Sequence, residues 1–187
     1  MHSKNNNTRI IFMGLAIAIN LIGGFIALSL KLPIYIDTIG TILVSILLGP
    51  ISGAIVGGLS SIVNGITFDP ISFYFIPVQL VFGISTGLLF KGGNFKGVKS
   101  ILSIIVVTLL SSVTAAVIAS FVFGGVTSSG SSIIVAILKN SGISIITSVF
   151  STQIFTDLLD KAISFGAVFT IIKMLPLNIK SKVGVNK

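Results

Sequence analysis

Residues 10–30 read IIFMGLAIAINLIGGFIALSL, a run of twenty-one positions without a charge. As an α-helix this run is about 30 Å long, the thickness of a bilayer's hydrocarbon core. It is too long for the apolar core of a signal peptide and reads as a retained membrane span. Arg9 stands in front of it, and Lys31 and Pro33 close it, because proline cannot continue a helix.

The pattern then repeats along the chain. A second run, from Ile39 to Leu48, stops at Gly49-Pro50, a turn signal. A third ends in NGITFDP (64–70), and a fourth, Ile71 to Phe90, contains Pro77 and expects a kink there. The basic turn KGGNFKGVK (91–99) leads to a fifth run, and Pro176 ends the last. Spans are expected at about 10–30, 38–49, 51–67, 71–90, 100–123 and 153–175. Residues 133–150 are weaker, with Lys139, Asn140, Ser141, Gly142 and Ser144 interrupting the apolar positions.

Charge decides whether that stretch crosses. With six spans, Lys4, Arg9, Lys91, Lys96, Lys99, Lys173, Lys180, Lys182 and Lys187 fall on one side, against Lys31, Lys139 and Lys161 on the other. Cytoplasmic loops collect Lys and Arg. A seventh crossing would export the basic tail, so 124–152 is expected as an outer loop with an interfacial helix. The fold expected is an all-α integral membrane protein, one bundle of six transmembrane helices with both termini cytoplasmic.

Composition agrees. Of 187 residues 53% are hydrophobic and 9% charged, with mean hydropathy +1.12, which excludes an ordinary soluble globule. The net charge of +8 is explained by orientation in a membrane rather than by nucleic acid, since no basic cluster is interleaved with aromatics. The absence of Cys removes disulfide scaffolds, thiolate metal sites and Cys nucleophiles. One His and scattered acids give a metal or catalytic centre little to build on. No G-x-x-x-x-G-K-[ST] phosphate loop is present, so the chain is not expected to hydrolyse ATP by that route; with no charge expected deep in a span and no convergent acids or His in the bundle, neither a self-powered pump nor an enzyme is expected.

All four acids, Asp37, Asp69, Asp157 and Asp160, fall on or near the outer side. Asp157 and Lys161 are four apart on the last helix and are expected to pair at its mouth. Tyr35, Phe68, Phe73, Tyr74 and Phe75 form either an interfacial aromatic belt or walls around a planar ligand, with the acids, Asn64 and Gln79 as polar anchors. Small residues recur every four positions at Gly49, Gly53, Gly57, Ser61 and Gly65, a stripe that lets helices pack closely in lipid. Gly14 and Ala18 make another such pair in the first span.

Taken in order, LPIYIDTIGT (32–41), LLGPxxGAxxG (47–57), the loop GGVTSSGSS (124–132) and TDLLDKAIS (156–164) resemble the substrate-binding S components of energy-coupling factor (ECF) vitamin transporters, in a branch without an assigned substrate. The resemblance covers nearly the whole chain. It implies a bacterial cell-membrane subunit that binds a small vitamin-like, heterocyclic solute at the outer face for uptake, with residues 32–38 as a lid. Substrate contacts implied are Tyr35, Asp37, Tyr74, Gln79 and Asn140. Gly14 and Ala18 stand where the family has an Ala-x-x-x-Ala docking motif, with Ala16 the alternative in a shifted register. The partners implied are a membrane coupling subunit and two cytoplasmic ATPases, which hydrolyse the ATP, so no cofactor is expected in this chain. The competing class is a membrane sensor or input module for a small ligand; recruitment of a kinase instead of ATPases would distinguish it.

Overall fold

The computed structural model describes residues 2–91 and 97–176, with side chains from residue 6 onward. Lys96, Lys180, Lys182 and Lys187, and the side chain of Lys4, on which part of the charge argument rests, lie outside this. Every element described is helical: α1 (His2–Ser29), α2 (Ile39–Leu48), α3 (Pro50–Thr67), a 3-10 helix (Pro70–Phe75), α4 (Ile76–Leu89), α5 (Gly97–Phe121), α6 (Ser131–Asn140) and α7 (Ile145–Met174). Among the described residues, four stretches are long and apolar enough to cross a membrane: Asn6–Ser29, Pro50–Thr67, Pro70–Leu89 and Gly97–Phe121.

The expected breaks fall where turn chemistry puts them, and two boundaries move. The kink at Pro77 becomes a full change of helix type, because Pro70 opens a separate 3-10 helix and Pro77 sits in the first turn of α4. The last helix begins at Ile145, well before the expected 153. Gly142 adopts φ +90°, closed to most L-residues, and ends α6; the Ser144 side chain then accepts the Thr147 N–H and restarts the helix. Residues 145–152 therefore belong to α7 and not to an outer loop.

The exterior is apolar, with Ile11, Leu15, Ile22, Leu88, Leu110 and Ile163 all exposed, as a lipid-facing surface requires. Small residues let the helices meet. Gly53 faces Ser45, Gly57 faces Gln79, Gly83 faces the Ala54 backbone and Gly87 faces Pro50, so α3 lies directly against α2 and α4. Asn20, buried in α1, ties three helices together. Its Nδ2 donates to Thr41 Oγ1 (2.9 Å) and Ser60 Oγ (3.0 Å), and its Oδ1 accepts the Gly40 N–H (2.7 Å). That N–H belongs to the first turn of α2, where no residue of the helix can satisfy it and the N-cap residue Thr38 does not cap it, so Asn20 takes that place.

The two ends of the bundle differ. At one, Phe82, Phe90, Phe165 and Phe169 stack with Ile42, Leu47, Val107 and Val168 into a solid apolar floor. At the other, α2 is missing: its 10 residues span about 15 Å, roughly half the depth of the bundle. The space above it is filled by the chain that precedes it, residues 30–38, folded inward between the helices. There the cavity lies.

Candidate binding site

The cavity holds about 870 Å³, counting the space open at its mouth. α2 contributes nothing to its wall beyond its preceding residue Thr38; α1, α3, α4, α5 and α7 do, together with the loops at 32–38, 69–72 and 127–129. Two glycines allow the inward loop to seat. A Cβ on Gly23 would strike the Ile36 carbonyl, and one on Gly130 would strike the carbonyl of Lys31. Gly130 N–H also donates to Leu32 O (3.2 Å), joining the 127–131 loop to the 32–38 loop as one roof.

Ile36 holds φ +52°, a conformation that costs a β-branched residue of order 1–2 kcal/mol. It is pinned from α7: Asp160 Oδ1 accepts the Ile36 N–H at 2.9 Å. The other oxygen of Asp160 takes Lys161 Nζ at 2.5 Å, and Nζ also donates to Thr38 Oγ1 (3.2 Å) and lies 4.9 Å over the Phe82 ring. The expected Asp157–Lys161 pair is therefore replaced by Asp160–Lys161. Neighbours on a helix ordinarily diverge, but here both side chains turn toward the loop at 36–38, where the unpaired N–H and hydroxyl are. Asp157 faces α5 instead, accepting from Ser112 Oγ (2.7 Å) and Gln153 Nε2 (2.9 Å). Asp157, Asp160 and Lys161 are all buried well inside a 30-residue helix, not exposed at its mouth.

Two further carboxylates complete the wall. Asp37, half-buried in the roof, accepts Gln79 Nε2 at 3.0 Å. Asp69 accepts from Ser72 (2.9 Å) and Ser128 (2.8 Å), tying the 3-10 helix to the roof.

Of the contacts expected from sequence, Tyr35, Asp37 and Gln79 come together in this wall. Tyr74 does not: on the 3-10 helix Ile71, Ser72 and Phe75 face the cavity, while Tyr74 is 56% exposed and meets the edge of Phe123 at 5.1 Å. Asn140 does not either: it ends α6, which packs its Val135 side against α7, and its own side chain is exposed. Phe75 lines the cavity and stacks on Phe123, so the aromatic group divides between wall and outer surface. Asn64 and Asp157, expected as polar anchors, also line the cavity, whereas Thr38, Gln153 and Lys161 were the less legible members. A polar amide inside an apolar run, as at Gln153, was the available signal, since such a group needs a buried partner.

Gly14 and Ala18 lie far along α1 on its exposed face, and a Cβ on Gly14 would touch nothing. Ala16 is 1% exposed and packs against Gly40, so the shifted register points into the bundle.

Compared with known proteins, residues 8–174 match the family model for the substrate-specific component of ECF transporters. No curated protein and no solved structure matches the chain.

Proposed function

The chain belongs to the ECF transporter substrate-specific components: it is a membrane-embedded substrate-binding transport subunit, not an enzyme, that works with ECF membrane and ATPase subunits; from that premise we propose that it captures a small, vitamin-like heterocyclic solute in the roofed cavity at the outer face of the cell membrane. The observation that carries this reading is the cavity itself. Polar side chains from α3, α4, α5 and α7, joined by others from the 3-10 helix and the roof loops, converge on one cavity, closed over by a loop that the buried Asp160–Lys161 pair holds in place.

On this reading Tyr35, Asp37 and Gln79 contact the solute, joined by Asn64, Asp69 and Asp157, and residues 32–38 are the lid. Six crossings, by α1, α2 with its inward loop, α3, the 3-10 helix with α4, α5 and α7, place Arg9, Lys91, Lys99 and Lys173 at the end opposite the cavity, which supports cytoplasmic termini. Gly14 and Ala18 offer a flat, lipid-facing strip on α1 for the coupling subunit. The two partner ATPases supply the energy, and this chain needs no cofactor of its own.

The test is native mass spectrometry and small-molecule extraction of the chain purified in mild detergent, followed by a thermal-shift screen of water-soluble vitamins and related heterocycles. A tightly held metabolite of a few hundred daltons, or a saturable shift with one compound, supports the reading. A chain that carries nothing and responds to no compound overturns it.

A further inference from the structure

The short helix α6 turns Val135 inward, where it packs with Ala116, Ala119 and Val149. Ile133 and Ile137, one turn apart on the opposite side, are 58% and 61% exposed. Phe121, Val122 and Val126, on the way from α5 to α6, are exposed as well.

Three helix lengths give the level of this face, measured from Arg9, Lys99 and Lys173 at the cytoplasmic end in the orientation proposed above. From Arg9, α1 climbs about 30 Å to Ser29, and the Lys31 carbonyl just beyond lies against Gly130, the residue before α6. On α5, Lys99 to Ala119 is also about 30 Å. On α7, Lys173 to Val149 is about 36 Å, and to Ile145 about 42 Å. A bilayer's hydrocarbon core is about 30 Å thick, and about 40–45 Å with its headgroups. α6 therefore starts where the hydrocarbon ends and lies beside the outermost turns of α7, at headgroup depth.

Exposed charge at this level has one sign. Lys31 and Lys139 are exposed, and neither has a carboxylate partner among the described residues. No acid is exposed there: Asp37 and Asp69 line the cavity, and Asp157 and Asp160 are buried. Phe68, Phe73 and Tyr74 are exposed near the same end, and aromatic rings gather at membrane–water boundaries. An apolar helix face edged by a lysine suits the boundary between headgroups and acyl chains.

We propose that α6 is seated in the outer leaflet, its Ile133–Ile137 face in the headgroup–acyl boundary and Lys31 and Lys139 on the phosphates of anionic phospholipids. The partner is the lipid surface because the face continues the apolar exterior of α5 and its exposed charge complements phosphate. Lys31 opens the roof loop and α6 follows the 127–131 loop, so this contact moors the roof's outer edge to the membrane, whatever solute the cavity holds.

The chain has no Trp, so single tryptophans report depth without background. Ile133→Trp, Ile137→Trp and, half-way along α5, Leu110→Trp are reconstituted in vesicles of equal parts phosphatidylglycerol and phosphatidylcholine, brominated either near the headgroup or near the chain ends. Both α6 probes are expected to be quenched at least about twofold more by the shallow bromines, and Leu110→Trp more by the deep ones. With one lipid class brominated at a time, phosphatidylglycerol is expected to be enriched about fivefold around Ile137→Trp, the scale of one lysine at an anionic surface. Lys139→Gln in that background is expected to remove most of the enrichment. Quenching of the α6 probes by aqueous iodide and not by lipid overturns the proposal, because the helix then stands in water. Protection from iodide and bromine alike overturns it in favour of a second protein over the face, and quenching chiefly by deep bromines puts the helix in hydrocarbon instead. Equal quenching by the two lipid classes removes the anionic headgroup and overturns it too. A Leu110→Trp probe that reads deep in any of these cases leaves the membrane-subunit reading standing.

Discussion

Replacing Lys161 by Met tests the buried ion pair that anchors the roof. Methionine keeps most of the unbranched apolar stem and its packing against Phe82 while removing the ammonium. Asp160, 0% exposed, then keeps a single donor, the Ile36 N–H at 2.9 Å, for two carboxylate oxygens. An uncompensated buried carboxylate of this kind costs about 3–5 kcal/mol. For a chain of this length that corresponds to a fall in melting temperature on the order of 10 °C. Adding Asp160→Asn removes the orphaned charge, retains an oxygen for the Ile36 N–H, and is expected to recover most of the loss. The chain has no Trp and no Cys, so the melt is best followed by loss of helical circular dichroism in detergent, without thiol-reactive dyes. A Lys161→Met protein that melts within about 2 °C of wild type, or a double variant no more stable than the single one, would refute the assignment of this pair as the roof's anchor.

Other expectations follow from the same geometry. Gly130→Val pushes a side chain into the Lys31 carbonyl, so hydrogen exchange of residues 31–38 should accelerate and ligand affinity fall by at least about tenfold, with the helices unaffected; unchanged exchange would separate the two roof loops. Gly14→Leu and Ala18→Leu, on the exposed face of α1, should leave folding and ligand binding intact while reducing uptake and co-purification with the coupling subunit; a loss of ligand binding instead would make them packing residues.

Much of the fold could be read one residue at a time. Gly49-Pro50 separates α2 from α3, and Pro33 lies just beyond α1, because proline and glycine restrict or free the backbone wherever they occur. The start of α7 was less visible, since Gly142 and the Ser144 cap reset a helix inside a stretch whose hydropathy is ambiguous. At the site, Tyr35, Asp37 and Gln79 could be found because a polar or aromatic residue beside an apolar span stands out. Tyr74 stands out equally and faces away, meeting Phe123 at the outer surface, while its neighbour Phe75 lines the cavity.

The sequence by itself determined that this is a helical membrane protein with its acids gathered toward one end, since hydropathy, charge and turn chemistry are local properties of the chain. Which carboxylate meets which partner was decided only by the tertiary structure. Asp157 and Lys161 have the spacing of an ion pair, yet each is claimed by a group more than forty residues distant, Ser112 and Thr38. The orientation of the Gln79 amide arises in the same way, its Nε2 turned to Asp37 and its Oε1 toward Gly57 by packing across the bundle.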